Sequence, residues 1–152
     1  MAVDVAVTLI LDGNAILLVY NENWGAFTLP MTKRKRPVPS GDAGELDGED
    51  WLDAAARPVV ECLGRPSKPE PILEEFLPES HFSLHRQSQV VYRYKTFKVN
   101  FELDDQVIAE TPAVWLTAAE ILKGELRPIS PTAIDIIRYR DILKALDFEV
   151  EF

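Results

Sequence analysis

Apolar and polar residues alternate along the first strand-like run, with Val3, Val5, Val7, Leu9 and Leu11 on one side, and Asp12-Gly13-Asn14 interrupts it before Ala15 to Tyr20. A period of two on either side of such a turn predicts a β-hairpin. Later the period lengthens. Leu52, Ala55, Ala56, Val59 and Leu63 recur at helical spacing, and Asp50, Asp53, Arg57 and Glu61 form a polar stripe elsewhere around the same segment, which predicts one amphipathic helix. Pro71 to Leu77 suggests a strand, and Gln89 to Leu103 a long one in which Phe97, Val99, Phe101 and Leu103 alternate. Ala113 to Leu116 reads as a strand leading into a short helix over Thr117 to Lys123. Ser130 as N-cap and Pro131 at the first helical position open a helix to about Leu146, with Ile136, Tyr139, Leu143 and Leu146 on one face. The ending, Asp147-Phe148-Glu149-Val150-Glu151-Phe152, alternates again and is expected to be an edge strand on its own sheet, with pairing to a second subunit, a homodimer, as the weaker expectation.

At 152 residues, 47% of them hydrophobic, the chain suits one domain with a substantial core, covering 1–152. No apolar run approaches the ~20 residues that span a bilayer, and the N-terminus lacks the features of a secretion signal, so a cytoplasmic protein with no membrane association is expected. The single cysteine, Cys62, excludes an internal disulfide and fits a reducing compartment. A net charge of −9 argues against general nucleic-acid binding, because affinity for a phosphate backbone comes mainly from lysine and arginine. A small phosphate-containing ligand remains compatible if the cations are concentrated locally.

The segment Glu49 to Gly64 resembles the Nudix box, G-x5-E-x7-R-E-U-x-E-E-x-G-U, in which U is a bulky aliphatic residue. Glu49 and Arg57 fit the E-x7-R element, Val59 the first U, Glu61 the first of the paired glutamates and Gly64 the closing glycine. Pro58 stands where the glutamate after arginine is expected, Cys62 replaces the second paired glutamate, Arg65 replaces the last aliphatic residue, and Ala43 holds the leading glycine position. Trp24-Gly25-Ala26-Phe27-Thr28-Leu29-Pro30 resembles the approach to the box, with Met31-Thr32 in place of two glycines, so the tight loop there is expected to change shape. The resemblance covers about residues 3 to 146 and implies an α/β fold: a Nudix-type α/β/α sandwich with a mixed β-sheet, the box helix on one side and the C-terminal helix on the other.

The same resemblance implies a Mg2+- or Mn2+-dependent attack of water on a diphosphate, with Glu61 as metal ligand and Glu61, Arg57 and Glu49 as the catalytic set. Positions 58, 61 and 62 stand at i, i+3 and i+4 on a helix, so three glutamates there would converge on one ion. Only Glu61 is present. Magnesium at a phosphate-transfer site takes one or two carboxylates, and a soft thiolate is a poor substitute. The expectation is therefore a degenerate metal site in a protein that binds a nucleoside-diphosphate-type ligand with weak or lost hydrolysis. The alternative is an active metal-dependent hydrolase of a nucleoside diphosphate linked to another moiety, its site rebuilt by Glu45, Glu102 or Glu110. A third reading is a structural domain whose pocket is filled by Trp24 or Phe27. Pro58 also removes a helical hydrogen bond to residue 54, at ~3 kcal/mol inside a helix, so a kink or break is expected near Ala56 to Pro58.

Lys33-Arg34-Lys35-Arg36 opens a polar stretch running to Gly48, expected as a loop. Lys33 and Arg34 are candidate ligand-binding residues that would steer phosphates toward the helix; otherwise the run is a solvated one that offsets Asp42, Glu45 and Asp47. His81 and His85 are the two histidines, at i, i+4, but Pro78 nearby favours a loop, and zinc binding is disfavoured. Glu110 lies where the resembled family often supplies an extra carboxylate, and a solvated loop acid is the preferred reading.

Overall fold

A computed structural model of the protein describes residues 2–35, 49–77 and 91–147. The predicted hairpin forms from β1 (Ala2–Asp12) and β2 (Ala15–Asn21), closed at Leu11↔Ile16 and Asp12↔Ala15. Gly13 in the turn takes φ +59, a left-handed conformation that a side chain would strain. Along its other side β1 runs parallel to β6 (Val91–Asn100) from Ala2↔Val91 to Leu11↔Asn100. β3 (Ala26–Thr28) and β7 (Ala113–Thr117) pair antiparallel with β2, β4 (Met31–Lys33) pairs antiparallel with β1 at Val5 to Val7, and β5 (Glu70–Pro71) pairs with β6. The sheet is mixed, as expected.

Helices cover both faces of it. α1 (Trp51–Leu63) lies on the face carrying Ala6, Ile10, Leu17 and Phe97. α2 (Ala118–Lys123), α3 (Pro131–Arg138) and α4 (Arg140–Ala145) close the other face over Val5, Val7, Leu9, Ile16 and Leu18. Because both faces are buried, β1 has Ala6, Thr8 and Ile10 fully buried along with Val7 and Leu9, so the alternation seen in sequence describes only half of its packing.

Five expectations need correction. α1 turns Ala54, Ala55, Pro58, Val59, Cys62 and Leu63 inward, while Leu52, assigned to the apolar stripe, is 44% exposed and Ala56 is only half-buried. Small residues 54 and 55 let the helix settle against Ala6, and the Thr8 hydroxyl donates to the Ala55 carbonyl at 2.7 Å. Of the kink or break expected near Ala56 to Pro58, the break is absent: α1 continues through Pro58, whose buried ring and the Thr8 tie beside it supply tertiary contacts against the lost helical bond. The helix to Leu146 is divided at Tyr139 (φ −67, ψ 114), whose extended backbone redirects the chain so that Ile142 and Leu143 reach the same cluster as Ile136 and Ile137. The strand read over Pro71 to Leu77 is limited to Glu70–Pro71; beyond it only Ile72 and Leu77 donate to β6 carbonyls, those of Thr96 and Tyr94. β6 itself stops at Asn100, and Leu103 is fully exposed.

The capping signal read at Ser130 and Pro131 is realised, and two further caps form that were not read from the sequence. Asp50 accepts from the Leu52 amide to start α1, Thr117 and Glu120 form a capping box at α2, and Ser130 accepts from the Ala133 amide with Pro131 opening α3. Arg36, Glu45, His81, His85 and the tail from Phe148 lie outside the described residues. Among the described residues no helix is long and apolar enough to cross a membrane.

Candidate functional site: a brace, a buried helix face and a cleft

Glu49 and Arg57 are brought together. The Arg57 guanidinium donates to Glu49 Oε1 at 2.6 Å and to the Lys33 carbonyl at 2.8 Å, and the Lys35 amide donates to the same Glu49 oxygen at 2.9 Å. This brace ties α1 to β4 and the residues after it. Lys33 therefore ends a strand rather than opening a loop, since its neighbours Met31 and Thr32 pair with β1. Arg34 turns to the other side: it donates to Asp4 at 3.0 Å and to the Glu49 carbonyl at 2.8 Å, and its guanidinium lies 5.0 Å from the Trp51 ring centre.

The three helix positions that matter for a metal have separate fates. Glu61 is exposed, Pro58 is buried and carries no donor, and Cys62 is 3% exposed within the cluster of Ile10, Leu17, Val59 and Leu63. Burial pushes the Cys62 thiol from an ordinary 9.0 up to about 11, with the Glu61 charge adding to the rise. A neutral, inward-facing thiol and one outward carboxylate do not fit a Mg2+ or Mn2+ site. Among the described residues no group of three or more His, Cys, Asp or Glu stands ready for a metal ion.

The raised thiol value has a measurable consequence. A thiol that ionises at 9.0 when unfolded and near 11 when folded adds stability that is present below pH 9 and is lost as pH rises through the folded value. Unfolding free energy is expected to fall by up to about 2 kcal/mol more between pH 8.5 and 10.5 in the parent than in Cys62→Ala, measured by urea denaturation. Equal slopes in the two proteins would show that Cys62 is not held neutral.

The box-closing positions are also structural. Gly64 caps α1 at φ +72, a left-handed conformation that a side chain would strain, with the exposed Ile108 side chain packed close beside it. Arg65 makes a two-point contact with Asp105, at 2.6 and 2.8 Å, and donates to the Asn100 carbonyl, fastening the segment after β6. That guanidinium holds the Asp105 carboxyl below its ordinary value. Glu102 and Glu110 are both exposed.

A cleft of about 610 Å3 opens on the sheet face opposite α1, lined by Asn21, Asn23, Trp24, Lys33, Tyr92, Tyr94 and Thr132 among others. Each wall has a local cause. Alternation along β6 sends Tyr92 and Tyr94 to this side. The turn after β2 is held by the Asn21 side chain and carbonyl, both accepting from the Trp24 amide, with Gly25 at φ +63. The start of α3 is fixed by Ser130, whose amide donates to the Phe27 carbonyl and whose hydroxyl donates to Thr28 Oγ1 at 2.9 Å. Burial pushes the Tyr94 phenol up to about 12. Trp24 is 49% exposed at the cleft and Phe27 is in the core, so neither fills it.

Lys33 joins the two parts, its carbonyl held by Arg57 and its side chain at the cleft. Among the described residues none from α1 lines that cleft, so Glu61 is not brought to it. Asn21, Tyr92, Tyr94 and Thr132 were not singled out from the sequence; two tyrosines at i, i+2 on a strand were the available signal, since they must share a face.

No protein-family model and no curated protein sequence matches the chain. Solved structures do. The MutT protein from Methanosarcina mazei Go1 aligns at a TM-score of 0.62 over 94% of each chain, with 16% sequence identity. The MutT Nudix hydrolase from Burkholderia pseudomallei aligns at 0.57 over 96% of this chain and 98% of that one, with 12% identity. The chain has the Nudix fold. The E. coli ORF135 protein is similar in fold, at a TM-score of 0.62 and 18% identity over 95% of this chain and 92% of its own. Within the Nudix fold the box-like segment of this chain keeps its Glu49–Arg57 brace and its glycine cap, while positions 58 and 62 serve the core.

Proposed function

We propose that this Nudix-fold protein binds a nucleotide-like, phosphate-bearing ligand in the cleft of Trp24, Tyr92 and Tyr94, with hydrolysis weakened or lost. The observation that carries the reading is the inward placement of Pro58 and Cys62, which leaves Glu61 as the one carboxylate on the helix face where a metal would be held. Aromatic rings beside the amides of Asn21 and Asn23 suit a flat heterocycle with polar edges, and Lys33 offers a cation for a phosphate. A small ligand needs only this local charge, whatever the sign of the whole chain.

The retained brace favours a second reading, metal-dependent hydrolysis of a nucleoside diphosphate linked to another moiety, because Glu49 and Arg57 hold α1 as in an intact box. One experiment separates the two. Product release from a panel of nucleoside diphosphate derivatives with Mg2+ and then Mn2+ is expected to show no turnover, while calorimetry on the same panel detects binding. Trp24→Ala is expected to weaken that binding about 5- to 150-fold, in line with about 1–3 kcal/mol for base stacking on an aromatic ring. Metal-dependent turnover abolished by Glu61→Gln would establish the hydrolase instead.

A further inference from the structure

We infer that Asn21 is a specificity residue of the cleft and selects a heterocycle that offers it a hydrogen-bond acceptor, a ring carbonyl rather than an exocyclic amino group. This rests on the nucleotide reading above and adds to it a class of base. Asn21 lines the cleft at the end of β2, where its backbone pairs with Ala26 of β3. Its main-chain carbonyl accepts from the Trp24 amide at 3.2 Å and from the Gly25 amide at 2.9 Å. Its side-chain Oδ1 accepts from the same Trp24 amide at 3.1 Å. A backbone N–H only donates, so the end of the Asn21 side-chain amide turned toward it must be the oxygen.

That bond decides which end of the amide is left for a ligand. The side-chain nitrogen, with two N–H donors, has no acceptor among the described residues. The other polar groups at the cleft are either engaged or of changeable polarity. The Ser130 hydroxyl donates to Thr28 and accepts from the Ala133 amide, and the Tyr94 phenol is bonded to Thr132. Asn23 is exposed and makes no side-chain bond among the described residues, so it can turn either end toward a ligand, and the Tyr92 hydroxyl can donate or accept. Lys33 supplies charge for a phosphate, which every nucleotide carries. Asn21 is therefore the neutral group of fixed polarity among the described residues of the cleft.

A fixed donor discriminates between bases that differ in one substituent. Hypoxanthine and uracil present a carbonyl where adenine and cytosine present an amino group. The carbonyl accepts from Asn21, whereas the amino group sets donor against donor and leaves both without a partner once the stacked base has displaced water. Because Trp24 already holds the side chain, the matching ligand loses little entropy in ordering it.

The test is calorimetry on the full chain with inosine against adenosine monophosphate and with uridine against cytidine monophosphate, pairs that share sugar and phosphate and differ at the base edge. The keto member of each pair is expected to bind about 2- to 12-fold more tightly, the range that one neutral hydrogen bond supplies. Asn21→Asp keeps an oxygen for the Trp24 amide and puts a second acceptor where the nitrogen was, so the preference within each pair is expected to reverse. The added charge weakens all four nucleotides alike and cancels in the ratio. Thermal unfolding checks that the variant keeps its fold, and the ratios in the parent protein test the assignment without it. Equal affinities within either pair, a keto preference that persists in Asn21→Asp, or one that is lost in Asn23→Asp instead would overturn the role of Asn21 and leave the nucleotide reading standing. No binding of any of the four would overturn both.

Discussion

Replacing Cys62 with glutamate is expected to destabilise the protein by about 3–5 kcal/mol and to restore no metal site, although it supplies the carboxylate that the box pattern lacks. The thiol sits among Ile10, Leu17, Val59 and Leu63 with 3% of its surface exposed. A carboxylate there has no cation within the cluster, and the longer side chain must displace close-packed neighbours. The loss is expected to shrink as pH falls from 7 toward ~4.3, the value at which the unfolded glutamate takes up its proton, and to keep only its steric part below that. Urea midpoints at pH 7 and pH 4 measure both parts. Full stability at pH 7 combined with newly acquired metal-dependent turnover would mean that position 62 faces outward.

Arg57→Ala is expected to cost about 1.5–3 kcal/mol, the range for hydrogen bonds to charged groups, because one guanidinium serves two acceptors on different elements. Without it Glu49, whose side chain is 14% exposed, keeps the Lys35 amide but loses its counter-charge, and the Lys33 carbonyl loses its donor. Glu49→Gln is expected to cost less, since an amide oxygen can still accept from both. Ligand affinity in the cleft should fall with Arg57→Ala, because Lys33 is positioned by that bond. A stability change within ±0.5 kcal/mol, the usual range for a surface substitution, would show that the brace is ornamental.

Much of the fold could be read from short-range signals. The turn Asp12-Gly13-Asn14 and the Ser130-Pro131 start each depend on residues within three or four positions, and each forms where it was expected. The eight-residue spacing of Glu49 and Arg57 also survives as a direct contact. What failed depends on distant chain. Ala55, Val59 and Leu63 marked the inward face of α1 correctly, but Ala54 was missed because it owes its burial to packing with Ala6, nearly fifty positions away. Pro58 was expected to break the helix because local cost was counted without the tertiary contacts that hold it. The cleft stayed hidden for the same reason: its walls come from β2, β4, β6 and the start of α3, and only the sheet brings them together.

The parallel pairing of β1 with β6 also sets a schedule for biosynthesis. Asp4 and its partner Arg93 are separated by 89 positions, so the first strand leaves the ribosome roughly 4 to 18 seconds before its main neighbour, at about 5–20 residues per second. During that interval the nascent chain holds a Val- and Leu-rich segment with one backbone edge unsatisfied, the kind of segment that chaperones capture and that aggregates when they are scarce. Yield in a cell should therefore depend on translation speed through residues 12 to 91 and on growth temperature more than the native protein's own stability would suggest.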